Sequence, residues 1–82
     1  MKIRKANIVH EGMKVEKVYL YENKKEEYTL VSIPDIEWST IIPYEEETST
    51  LGERLTQSLR SRTVEEIHTP LTKKIVQWVR EM

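Results

Sequence analysis

Apolar positions in the first third of the chain recur at strand spacing. From Lys14 to Glu22 they are Val15, Val18, Tyr19, Leu20 and Tyr21, β-branched, aliphatic and aromatic types that suit a pleated surface. From Glu27 to Ile33 the chain alternates, with Tyr28, Leu30 and Ser32 on one side and Thr29, Val31 and Ile33 on the other. That is the period of a strand. The polar stretch from Glu22 to Glu26 between them is short enough for a hairpin connection. Lys2 to His10 forms a less regular strand carrying Ile3, Ala6, Ile8 and Val9. Glu11-Gly12 supplies the turn after it, glycine accepting the positive φ such turns often demand. Connections this short cannot cross between parallel strands, so the three strands form an antiparallel meander.

Pro34 closes the third strand, because proline has no N–H for a ladder. Trp38 to Tyr44 reads either as a fourth strand at an edge, where Pro43 is tolerated, or as an ordered loop over the sheet. The last third is helical. Thr50 and Glu53 have the spacing of a capping box, and Leu51, Leu55 and Leu59 then recur every four residues. Thr63 and Glu66 repeat the cap, ahead of a second stripe of Val64, Ile67, Leu71, Ile75, Trp78, Val79 and Met82. At the helical angle these seven fall within about 120° of arc. Pro70 lies inside that stripe, where it costs about 3 kcal/mol by removing a backbone bond and crowding the carbonyl of Glu66. Two resolutions exist: one kinked helix from 64 onwards, or a turn at 64–68 and a new helix with Thr69 as N-cap. Local geometry favours the second; the preserved phase favours the first. The predicted fold is α+β: a three- or four-stranded antiparallel β-meander followed by two C-terminal helices packed on one face.

With 82 residues, the chain has room for one domain, 1–82. It has no cysteine, which excludes a disulfide framework and a thiolate zinc site and fits a reducing compartment. The longest apolar run, Val18 to Tyr21, is four residues, far short of a membrane span, and no apolar stretch follows the N-terminal bases as a leader requires. The expected location is the cytoplasm.

Four segments point to a family. The opening Met1-Lys2-Ile3-Arg4-Lys5, the run Tyr21-Glu22-Asn23-Lys24-Lys25-Glu26-Glu27-Tyr28, then Ile33-Pro34-Asp35, and the closing Lys74-Ile75-Val76-Gln77-Trp78-Val79 resemble the YueH-like family of small firmicute proteins. That resemblance carries no activity and no catalytic residue with it. A second, partial one rests on residues 28–35 and on Thr50-Leu51-Gly52-Glu53-Arg54-Leu55, which are similar to the strand and helix of HicB-like antitoxin domains. It implies a small β-meander that neutralises a basic ribonuclease. Ile36-Glu37-Trp38 replaces the Pro-Gly that usually follows Pro-Asp in those domains, and no separate DNA-binding segment after the domain is expected.

Charge is uneven along the chain. Residues 1–25 hold seven bases and three acids, residues 26–53 hold eight acids and no base, and residues 54–82 hold six bases and three acids, behind a net charge of −1. The acidic middle is the leading site candidate: Asp35, Glu37, Glu45, Glu46 and Glu47, with the aromatics Trp38 and Tyr44 among them. Grouped carboxylates attract basic partners and speed docking, and buried aromatics anchor interfaces. A plain solvated loop explains the same composition. The expected function is a non-enzymatic protein-binding regulatory or accessory module, its partner another protein of basic character, with a homodimer also open through free strand edges or the last helix.

The rival reading is a nucleic-acid binder using Lys2, Arg4, Lys5, Lys14, Lys17, Lys24 and Lys25 with Arg60, Arg62, Lys73 and Lys74. A pI near 6.1 argues against it. His10 and His68 have no carboxylate or second histidine at ligand spacing, and the two glycines make no phosphate loop. No catalytic residue, metal or cofactor is expected.

Overall fold

The chain first turns back on itself at Glu11-Gly12, where both residues take positive φ, 47° and 84°, matching the twist of a two-residue hairpin. In this computed structural model, which describes residues 1–82, the turn joins β1 (Lys2–His10) to β2 (Met13–Asn23). A second hairpin leads to β3 (Tyr28–Ile33); within it Asn23 Oδ1 accepts the Glu26 N–H at 3.0 Å. After a single 3-10 turn at Pro34–Ile36 the undecided segment forms β4 (Trp38–Pro43). It pairs with β3 from Ile33 opposite Trp38 to Tyr28 opposite Pro43. Pro43 takes the last place of an edge strand, as its missing N–H requires. The sheet is therefore a four-stranded antiparallel meander in chain order.

Helix α1 (Thr48–Leu59) starts two residues before the expected cap. Thr50 sits inside its first turn and donates to the Glu47 carbonyl at 3.0 Å. Thr63 does not open the second helix either. Its hydroxyl and its N–H both donate to the Leu59 carbonyl, at 3.0 and 2.9 Å, and so close α1. In both cases a nearby backbone carbonyl captures the hydroxyl that capping would use. Helix α2 (Glu65–Glu81) then runs unbroken through Pro70. The restart at Thr69 does not occur, because a continuous helix keeps Ile67, Leu71, Ile75 and Val79 on one buried stripe. The carbonyl that Pro70 deprives of a donor belongs to Glu66, which is exposed and open to water.

Both helices cover the same face of the sheet. Trp38 on β4 meets Ser58 on α1, and α2 packs on β1. Sixteen buried apolar side chains form the core, with Val18, Leu20, Val31, Ile33 and Ile42 from the strands facing Leu51, Leu55, Leu59 and the α2 stripe. Trp78 packs against the rim of this core and stays half-buried, while Val64 lies outside it. His68 is buried with no partner for Nδ1. The two histidines share one end of the molecule, His10 lying 3.9 Å from Glu66 in the first turn of α2. No helix is long and apolar enough to cross a membrane.

Candidate functional site

The acidic and aromatic residues between 35 and 47 do not form one surface. Asp35 and Glu37 precede β4 and Tyr44 to Glu47 follow it, so six residues at about 3.3 Å each put the two groups on the order of 20 Å apart. At the first end, Asp35 has structural work. Strand β3 reaches only as far along β2 as Tyr19, which leaves the earlier half of β2 without a neighbour on that side. The Asp35 carboxylate accepts the Glu16 N–H there at 2.8 Å. Glu37 takes φ 50° and donates its N–H to the Pro34 carbonyl at 3.0 Å, closing the turn into β4. Trp38 is not a surface anchor. It is 7% exposed, and its Nε1 donates to Ser58 Oγ at 2.9 Å.

At the other end, the chain from Tyr44 to Glu47 is held by cations from later in the sequence. Arg54 donates to both carboxylate oxygens of Glu46, at 2.8 and 3.0 Å, and also reaches Thr40 Oγ1 and the Ile41 carbonyl. That bidentate contact holds the Glu46 carboxyl below its ordinary pKa, more than offsetting its partial burial. Arg80 from α2 donates to Thr48 Oγ1 at 3.1 Å and to the Glu46 carbonyl. The exposed Tyr44 donates its hydroxyl to Glu22, and this bond, with burial and the Glu22 and Glu27 charges behind it, pushes the phenol up to about 12. Glu45 and Glu47 remain exposed and outside any ion pair, as do Glu26 and Glu27 on the adjoining hairpin. A cleft of about 180 Å³ opens beside Tyr44, lined by Glu22, Thr29, Ile42, Val79 and Arg80. No three metal-ligating side chains converge anywhere.

A further unoccupied surface lies elsewhere. Paired residues of neighbouring strands share a face, and the register assigns three rows to the side away from the helices. They are Ile3–Tyr19–Ser32–Ser39, Tyr21–Leu30–Ile41 and Asn23–Tyr28–Pro43, continued by Lys5–Lys17. Ile3, Ile41 and Tyr21 are 54%, 51% and 42% exposed. These rows contain no carboxylate. Glu22 points to the covered side, opposite Thr29, and so does Arg4, opposite Val18. The signal for this surface was present in the apolar residues at both parities of β2 and β3. A strand that is apolar on both sides has two apolar faces, and the two helices cover one.

A four-stranded meander with two sequential helices on one face and an aromatic opposite face defines a small α+β sheet-and-helix domain. The chain belongs to the YueH-like protein family, whose model matches residues 2–81. It is similar to the "Uncharacterized protein YueH" of Bacillus subtilis (strain 168), 56% identical over 82 residues and covering 100% of both chains. No solved structure matches it.

Proposed function

We propose that this chain is a non-enzymatic protein-binding module of regulatory or accessory kind, acting in the cytoplasm, and that its contact surface is the bare face of the sheet. One observation carries the reading: Ile3, Tyr21 and Ile41 stand half-exposed on adjoining rows of the sheet that hold no carboxylate, Glu16 and Asp35 bordering the face only at its Lys17 end. Apolar and aromatic side chains already ordered by a sheet lose little entropy on docking, which makes them good anchors. The segment 35–47 supports the reading less well, since Trp38 is buried, Asp35 caps a strand and Glu46 is neutralised. Glu45 and Glu47 remain as charges bordering the end of the face. A cysteine-free composition is compatible with a reducing compartment.

Binding to single-stranded nucleic acid has one observation in its favour, the three tyrosines and two lysines on that same face, since aromatic rings stack with bases. The other bases proposed for it are dispersed: Arg4 faces the helices and Arg60 and Arg62 lie at the connection between α1 and α2.

The test is capture from native cell extract at low and moderate salt, comparing wild type, Ile41→Asp, and Glu45→Gln/Glu47→Gln, each first shown to unfold cooperatively. A protein retained by wild type and by the glutamine variant but lost by Ile41→Asp supports the bare-face reading. Equal capture by Ile41→Asp overturns it, and recovery of nucleic acid in place of protein transfers the surface to the second reading.

A further inference from the structure

The bare face has no cover from the chain itself, and the routes to self-association read from the sequence are obstructed. The α2 stripe is spent on the sheet. On β4 the Ile41 carbonyl already accepts Arg54, and Pro43 has no N–H to offer. The unpaired half of β2 is met by Asp35. Edge β1 is interrupted where the register shifts between Lys5 and Ile8 and Asn7 takes φ 52°. Bulges and blocked edges of this kind discourage edge-to-edge pairing. Resting on the reading that the bare face is the contact surface, we infer that it binds a second copy of this chain, sheet face to sheet face, about a twofold axis running across the strands.

Charge selects both the occupant and the axis. Lys5 and Lys17 stand at one end of the face with no ion-pair partner; the acids bordering that end are Glu16, which pairs with Lys14, Asp35, which accepts a backbone amide, and the exposed Glu37. At the other end the two connections carry Glu26, Glu27, Glu45 and Glu47 against Lys24 and Lys25, again unpaired. An axis across the strands reverses their direction in the second copy, so each lysine end meets the acidic end, and the twofold makes the contact twice. It also sets the lysine row over the row of Asn23 and Tyr28, where an ammonium can rest on a tyrosine ring. An axis along the strands would instead bring the two lysine ends together.

Size sets the strength. Four strands about 4.8 Å apart and six residues long cover roughly 400 Å² in plan. Two such faces remove on the order of 1,000 Å² of accessible surface, the lower limit for a specific interface and the size class of weak, transient contacts, and a dissociation constant of micromolar order is the expected outcome. Aligned sheets packed face to face meet at about −30°.

Sedimentation equilibrium tests this, run from about 5 to 500 µM protein so that mass action spans the expected constant. Wild type should pass from one to two chain masses, with weaker association at high salt. Ile41→Asp should raise the dissociation constant at least about tenfold, while Val64→Ser, which alters an exposed apolar residue off this face, should not. Lys17→Glu should weaken the dimer and Lys17→Glu combined with Glu27→Lys should restore it. Should Ile41→Asp fail to fold, Tyr21→Ser reads the same face. A wild type that stays monomeric throughout, or a dimer indifferent to Ile41→Asp and Tyr21→Ser, overturns the inference. If the wild type is monomeric yet Ile41→Asp still loses a captured protein, the second copy is wrong and the contact face stands. If neither association nor capture responds to the face variants, both fall.

Discussion

Arg54 grips Glu46 with two parallel hydrogen bonds, Nε to Oε2 at 2.8 Å and Nη2 to Oε1 at 3.0 Å, across eight residues of chain. The same guanidinium ties α1 to β4 through Thr40 and Ile41. Glu46→Gln should therefore cost about 1 kcal/mol at neutral pH, and Arg54→Ala about 1–2 kcal/mol because more bonds are lost. The pH dependence has a definite sign. The folded pKa lies below the ordinary 4.5, so the contribution is complete above that value and disappears as pH falls through the folded pKa. Thermal midpoints of wild type and Glu46→Gln should converge on acidification; parallel curves would contradict the assignment.

Trp38 and Ser58 join the edge of the sheet to the last turn of α1. Trp38→Ala should cost about 3–5 kcal/mol, the range for a buried aromatic. Trp38→Phe keeps most of the packing but orphans the Ser58 hydroxyl, and Ser58→Ala orphans the indole N–H; each should cost about 1 kcal/mol. Urea denaturation measures all three, and a Trp38→Ala protein as stable as wild type would mean that the indole is a surface group.

The phenol of Tyr44 offers a separate spectroscopic readout. In an ultraviolet titration it should ionise late, near 12 where its ordinary value is 10.0. Its folded pKa is raised, so any stability it contributes is present below pH 10.0 and fades as pH rises toward 12. Glu22→Gln removes the first cause and should bring the titration back toward the ordinary value. A late phase unchanged in that variant would assign it to another tyrosine.

Gly52 lies inside α1, and a methyl group there would meet nothing within 4 Å. Gly52→Ala should raise stability by about 0.5–1 kcal/mol through helix propensity alone. Loss of stability in a denaturant titration would show that the position serves close packing.

Local periodicity made most of the fold legible. The alternation of β3 and the four-residue spacing of Leu51, Leu55 and Leu59 survive intact in the structure. Residues 38–43 resisted because Ser39 and Thr40 blur their alternation, and pairing with β3 decides the matter. Pro70 misled for a related reason: a rule about one residue met a stripe of four buried side chains, and the stripe prevailed. The candidate site was the least legible. Its carboxylates were visible as a run, but Arg54 and Arg80 lie 8 and 34 residues beyond Glu46 and Ser58 lies 20 beyond Trp38. No local pattern announces partners so distant. Equally, Val18 and Leu20 on one side of β2 and Tyr19 and Tyr21 on the other are all apolar, so only docking of the helices reveals which side is left bare.

The strand order also says something about how the domain comes to exist. Each strand pairs with the one made just before it, so the meander can form progressively, hairpin by hairpin, as the chain is synthesised; local connections of this kind favour rapid folding. Docking of α2 on β1 joins the first element to the last and must wait for all the others. Until α2 arrives, the inner apolar side of β1 and β2 is as naked as the outer one. A nascent chain halted before residue 65 thus presents two adhesive sheet surfaces, which makes the final helix the domain's protection against aggregation during synthesis.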